Sequence, residues 1–424
     1  MRKRKSNILA GIDWMLVLLF VILIILGWIS IYSATVADSH ETFNLSSKYG
    51  KQLKWIGLSF VLIVITISID SKFYERFSGV IYIASLASLI GLFLFGSTIN
   101  GAISWYNFGG ASIQPSEFAK VATALALANY LGEPNRDLSN LKSQLSAFLI
   151  VILPSILIIL QPDAGSALIY FALIFVMYRE GLPAYYIVIG LLAILLFIVT
   201  LLLGLKITLI TVISLIVLFF MYLIRSNNLT FRREWPKIMV ICVVVSLFIF
   251  SVDYVFNYVF EQRHRDRFSI VLGKTSDTIG IGYNTNQSMI TIGSGGWYGK
   301  GFLEGDRTQG NFVPAQQTDY IFSTVGEEWG FLGTTIVILV FTAFILRLVQ
   351  VAERQKSTFS RVFGYSVATI FFFHFMINIG MVIGLLPTIG IPLPFFSYGG
   401  SSLWGFTLLL FIFIRLDADR TYVW

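Results

Sequence analysis

The sequence predicts an all-α polytopic membrane protein with about twelve transmembrane helices, and three observations carry that prediction. Hydrophobic residues make up 56% of the chain and charged residues only 12%, with a mean hydropathy of +0.79. A soluble chain of this length needs a charged surface that this one lacks. Apolar runs of the roughly 20 residues that a helix needs to cross hydrocarbon recur along the sequence. Phe (38), Tyr (19) and Trp (9) suit lipid contact and the aromatic belts at the membrane–water interfaces.

The first run, near 12–34, follows Arg2-Lys3-Arg4-Lys5 and ends at Ala34-Thr35-Val36-Ala37, the outline of a signal peptide. At about 20 residues it is too long for the apolar stretch of such a leader, so it reads as an uncleaved first span. Further helices are expected near 52–70, 77–96, 115–132, 144–161, 164–179, 184–204, 206–225, 237–258, 320–349, 362–386 and 401–416, including a short pair joined near Gly204. The chain is expected to form a single membrane domain over 1–424. The interval 260–320 has no long apolar run and is expected to be a large loop within it.

The formal charge of +7 does not call for a nucleic-acid partner. With twelve alternating spans, Arg2 to Lys5, Lys72/Arg76, Arg136/Lys142, Arg179, Arg225/Arg232/Arg233/Lys237, Arg354/Lys356/Arg361 and Arg420 fall on one side. Basic short loops mark the cytoplasmic side, so both termini are expected there. Cys242 is the only cysteine, which excludes a disulfide within the chain. Four unusual segments then share the outer face: Asn100–Ser116, Gln161–Gly165, Phe260–Tyr320 and Pro387–Ser402.

In Gln114-Pro115-Ser116-Glu117-Phe118-Ala119-Lys120, Pro115 suits the first turn of a helix. Glu117 and Lys120 are three apart and share a helix face. A carboxylate and an ammonium at the rim of a span are costly unless paired or useful. They read either as a structural ion pair or as a poised pair in a cavity opening outward. In Gln161-Pro162-Asp163-Ala164-Gly165-Ser166, Asp163 is expected to cap the following helix and, secondarily, to hold the site together.

The large loop interleaves Arg263, Arg265 and Arg267 with His264 and Asp266, then carries Asp277, Tyr283, Gln287, Ser288, Lys300 and Asp319 among many glycines. Arginines and glycine-rich turns suit phosphate. An ordinary folded loop explains most of these residues, but explains less well a single acid, Asp277, amid glycines and amides. No Cys/His spacing indicates a metal site, and His40 and His374 lie elsewhere. The last segment, 387–402, contains three prolines and cannot be one continuous helix. Non-helical backbone at membrane depth must pack in protein or line a cavity. Its apolar residues beside Ser397, Tyr398 and Ser401 suit either a re-entrant structural loop or a lipid-tailed ligand.

QPSEFAK, QPDAGSA, SDTIGIGYNTNQS to IGSGGWYGKG, QQTDYIFSTVGEEWGF and NIGMVIGLLPTIGIPLPFFSYGGSS occur in order. Together they resemble the SEDS family (shape, elongation, division and sporulation), the RodA and FtsW proteins, over nearly the whole chain and with the shape-determining branch nearer. The resemblance implies a peptidoglycan glycosyltransferase in the bacterial cytoplasmic (inner) membrane. It would polymerise lipid II, the undecaprenyl-pyrophosphate disaccharide-peptide, with a class B penicillin-binding protein and elongation-complex membrane proteins as partners. It also implies that Asp277 is the catalytic acid and that Glu117 and Lys120 are the charged pair of the family's QPSE helix.

Two departures stand out. The family is similar to a ten-span design, and this chain carries about two extra runs between Ala184 and Arg225. Relatives often carry a basic residue before the Trp of GA-x-x-W, where this chain has Ser104; Arg263, Arg265 or Lys300 could compensate. In the implied chemistry, Asp277 acts as general base on an acceptor hydroxyl. Lys120, loop arginines or a divalent cation (Mg or Mn) would stabilise the leaving pyrophosphate. The rival readings are a flippase or transporter for the same lipid, a division-type FtsW paralogue, and a non-catalytic scaffold.

Overall fold

The computed structural model describes residues 11–36, 44–99, 101–107, 109, 112–134, 136–226, 231–260, 262–274 and 282–420. Helices occupy all twelve expected segments. Among the described residues, ten are long and apolar enough to cross a membrane by length and composition. The other two are Pro115–Gly132, which carries Glu117 and Lys120, and Ala164–Arg179, which is shorter and passes through a 3₁₀ turn at Ile169–Ala172.

The chain divides into two compact units, one of 1–183 with 284–424 and one of 184–283. The polar interval 260–320 is therefore split between them. In the second unit, Tyr185–Leu203 and Leu205–Ser226 meet at Gly204, whose φ of 79° fits a residue without a Cβ. Phe231–Tyr254 follows and ends in a π turn, Val255–Val259. The helix Gln262–Val271 packs back through Phe268, whose ring lies 5.5 Å from Phe197 and 6.3 Å from Phe260.

The larger unit holds the other expected spans. Its helices start where local chemistry lets them. Ser47 accepts from the Gly50 amide, Asp70 from Lys72, and Pro115 occupies the first helical turn. An aromatic core closes around Phe20, Phe344, Phe371, Phe395 and Phe406, with Phe20 edge-on to Phe395 at 4.9 Å. The outer faces of Lys48–Ser68 and Ser71–Phe95 expose Phe60, Val64, Phe93 and Leu94, as lipid-facing surfaces do.

One end of this unit gathers basic residues expected on a common side. Asp13 accepts from Arg347 at 2.7 Å and Arg354 at 2.8 Å. Arg354 also reaches Asp417 at 2.5 Å, Arg361 reaches Glu180 at 2.9 Å, and Arg179 reaches Glu353 at 2.8 Å.

Two features depart from the all-α expectation of simple spans. A three-stranded antiparallel sheet, β1 Ser97–Ile99, β2 Ala102–Asn107 and β3 Ser112–Ile113, is paired Ser97↔Trp105 and Tyr106↔Ile113. Second, the helix Ile321–Glu353 breaks at Gly330, whose φ is 61°. The break frees backbone groups that need partners. Lys300 and Gly301 amides donate to the carbonyls of Glu327 (2.9 Å) and Glu328 (3.0 Å), and the Phe331 amide donates to Gly296 (2.9 Å).

Candidate active site

Parts of the four segments expected on a common face converge in the larger unit. The Gln114 side chain donates to Asp163 Oδ2 at 3.1 Å, while Asp163 Oδ1 accepts from the Ser166 amide at 3.0 Å. Asp163 is thus a helix cap that also ties two segments together. Ser401 Oγ donates to the Ser112 carbonyl at 3.0 Å and accepts from the Gln114 amide at 3.2 Å. The Tyr398 amide donates to the Gln317 carbonyl at 2.9 Å, and Asn378 donates to the carbonyls of Asp319 (2.8 Å) and Ile391 (2.7 Å). Thr285, Tyr320 and Thr388 share hydroxyl hydrogen bonds of 3.0–3.2 Å.

The 387–402 strap is packed in protein. Ile391, Leu393, Phe395, Phe396 and Ser397 are all buried, and Ser397 Oγ accepts from the Leu393 amide at 2.9 Å inside the strap's own turn. Its apolar side chains fill the core.

Beneath the strap, Glu117 and Lys120 form an ion pair of 2.9 Å, with side-chain exposures of only 3% and 1%. Gly405 lets the neighbouring helix approach: a Cβ there would lie 3.1 Å from the Glu117 backbone oxygen. Lys120 Nζ is 5.1 Å from the Phe406 ring centre. It is also 2.9 Å from Nε2 of His374. The signal for His374 in sequence is an ionisable side chain inside an apolar run. The pair is formed, and it is enclosed.

A second polar cluster surrounds Glu327, fully buried, which the sequence reading quoted only as part of a motif. It accepts from Lys300 Nζ (2.8 Å), Thr308 N (2.7 Å), Thr308 Oγ1 (2.8 Å) and Arg307 N (3.1 Å). Lys300 also reaches Asp306 at 3.2 Å. Its bonds to Glu327 and Asp306 hold the Lys300 ammonium above its ordinary pKa, Glu327 first. Lys300 is therefore committed to these carboxylates. Arg307 bonds Gln287 and Thr291, and Ser288 Oγ donates to the Val382 carbonyl at 2.9 Å.

Asp277 lies outside the described residues. Arg263 has its main chain in Gln262–Val271, and its side chain lies outside them too. Arg265 donates to the Asn257 carbonyl at 3.0 Å within the 184–283 unit, to which Tyr283 also belongs. Ser104 is buried on β2, and its hydroxyl has no hydrogen-bond partner among the described residues. Among the described residues, no group of three or more His, Cys, Asp or Glu side chains is arranged to hold a metal ion.

The FtsW/RodA/SpoVE cell cycle protein model matches residues 13–211 and 205–422. The chain is 32% identical over 430 residues to the peptidoglycan glycosyltransferase RodA of Treponema pallidum, covering 96% of this chain and 98% of that one. It is 31% identical over 387 residues to the peptidoglycan glycosyltransferase MrdB of Escherichia coli K12, covering 90% and 88%. A solved structure titled as the structural coordination of polymerization and crosslinking by a peptidoglycan synthase complex superposes with a TM-score of 0.71 at 25% identity, covering 96% of this chain and 98% of that one. With the membrane helices, the convergent segments and these matches together, the chain belongs to the FtsW/RodA/SpoVE family of cell cycle proteins.

Proposed function

We propose that this multi-pass membrane protein is a peptidoglycan glycosyltransferase of the elongation type, polymerising lipid II at the outer face of the bacterial cytoplasmic membrane. The observation that carries the reading is 32% identity across 96% of the chain to a peptidoglycan glycosyltransferase named RodA. Both termini then face the cytoplasm.

In this reading a sugar hydroxyl of the acceptor attacks the anomeric carbon of the lipid-linked donor. A new glycosidic C–O bond forms, the bond to the lipid pyrophosphate breaks, and the pyrophosphate leaves with the electron pair. Asp277 takes the hydroxyl proton, which makes the oxygen a competent nucleophile. Glu117 and Lys120, paired at 2.9 Å and buried, are the charged pair this reading assigns to the site. A divalent cation (Mg or Mn) would supply charge for the leaving pyrophosphate, though the described residues offer no carboxylate or histidine cluster to hold one. A class B penicillin-binding protein is the partner we propose for crosslinking, alongside elongation-complex membrane proteins.

The deciding experiment is polymerisation of lipid II by the purified protein in liposomes, with and without that partner, before and after metal stripping. Glycan strands are expected. Their absence under every condition, from folded protein, would refute the enzyme reading.

A further inference from the structure

His374 sits on Thr358–Val382 with 1% exposure. Its Nδ1 lies 3.2 Å from the Pro392 carbonyl and its Nε2 lies 2.9 Å from Lys120 Nζ. The Phe406 ring stands edge-on at 4.8 Å. A carbonyl only accepts, so Nδ1 carries the ring proton. Nε2 of the neutral ring then offers a lone pair, and the Lys120 ammonium donates into it. On its other side the ammonium is 2.9 Å from Glu117 Oε2, but among the described residues that oxygen has no hydrogen bond of good geometry. Glu117 therefore attracts the ammonium without fixing its direction. A doubly protonated His374 would put a second positive charge beside Lys120, whose ion pair among the described residues is with Glu117.

We propose that His374 is a positioning residue: its neutral ring accepts from Lys120, fixes the ammonium against Glu117, and through the Pro392 carbonyl ties that charge to the 387–402 strap. The inference rests on the glycosyltransferase reading, in which the Glu117–Lys120 pair serves the reaction. Without an acceptor at 374, Lys120 is free to turn on its flexible four-carbon stem, and small displacements of reacting or stabilising groups cost large factors in rate.

The test is lipid II polymerisation by purified variants in liposomes. His374→Phe keeps the ring volume and the contact with Phe406 but removes the acceptor. His374→Gln restores an acceptor oxygen near the Nε2 position. The Phe variant is expected to lower kcat about tenfold or more, with KM changed less than about twofold, and the Gln variant to recover most of that loss. Equal kcat for the Phe and Gln variants, or an effect on KM alone, would overturn the role of His374. No polymer from the wild-type chain would instead overturn the glycosyltransferase reading itself. Melting temperatures of His374→Phe, Lys120→Met and the double variant judge the contact without any activity. Non-additive shifts support it, and additive shifts overturn it.

Discussion

The amide of Gln114 donates to the hydroxyl of Ser401 at 3.2 Å across 287 positions of sequence. That hydroxyl donates onward to Ser112. One side chain therefore joins the start of the Pro115–Gly132 helix to the start of the last helix. Ser401→Ala removes both bonds and leaves the part-buried Gln114 amide without this acceptor, at a cost of about 1–3 kcal/mol. A lower melting temperature in detergent is expected, with polymerisation falling further than stability at a permissive temperature. An unchanged melting temperature would mean the join carries no weight.

Glu117→Gln and Lys120→Met each strand one member of a buried pair, which costs about 3–5 kcal/mol. The double variant should cost less than the sum, because neither charge is left alone. The melting temperatures of the four proteins measure this coupling. Strictly additive losses would show that the two side chains do not act as a unit.

Asp277→Asn is nearly isosteric and cannot take a proton. Polymerisation should fall roughly 100- to 10,000-fold with folding intact, and Asp277→Glu should rescue poorly because the carboxylate moves by about a methylene. Asp266→Asn and Asp319→Asn serve as controls and should lose less at matched expression. Turnover near wild type from Asp277→Asn would remove it as the base and leave Glu117 as the alternative.

Glu327→Gln keeps the shape but takes the charge from a carboxylate that Lys300, Thr308 and Arg307 surround. It is expected to destabilise the protein by about 2–4 kcal/mol, since a buried acceptor network loses its charged centre. The check is thermal unfolding, and Lys300→Met in the same background should add little. Full additivity would separate the two residues.

Asp13 gives an acid-side signature. Burial alone would raise its carboxyl, but hydrogen bonds from Arg347 and the Leu16 amide, with Arg354 nearby, hold it below the ordinary value. A carboxyl with a depressed folded-state pKa contributes stability that is present above its unfolded value and lost as pH falls through the folded one. The melting-temperature gap between wild type and Asp13→Asn should therefore be widest near neutrality and close below about pH 4. A gap that is constant down to pH 3 would contradict this.

Much of the site was legible because it depends on local chemistry. Asp163 caps because an acid before Ala164-Gly165-Ser166 can reach the Ser166 amide. The three prolines of 387–402 forbid a helix at membrane depth, and burial in protein is one of the two solutions open to such a backbone. Lys120 and His374 are 254 positions apart, and no periodicity in either helix names the partner. Glu327 was hidden for the same reason: its donors lie on a separate loop. The sheet escaped notice because strands of three, six and two residues are too short for alternation to stand out.

The break at Gly330 has a mechanical consequence. A Cβ on Gly330 would fall 2.8 Å from the Trp297 carbonyl carbon, and one on Gly295 would fall 2.8 Å from the Glu327 carbonyl oxygen. Main chain lies on main chain, with no side-chain cushion between the 295–301 turn and the helix. Such a contact has no side chain between the two backbones that could change rotamer and absorb a push. Displacing the turn must therefore disturb the base of the Ile321–Glu353 helix, to which it is bonded main chain to main chain.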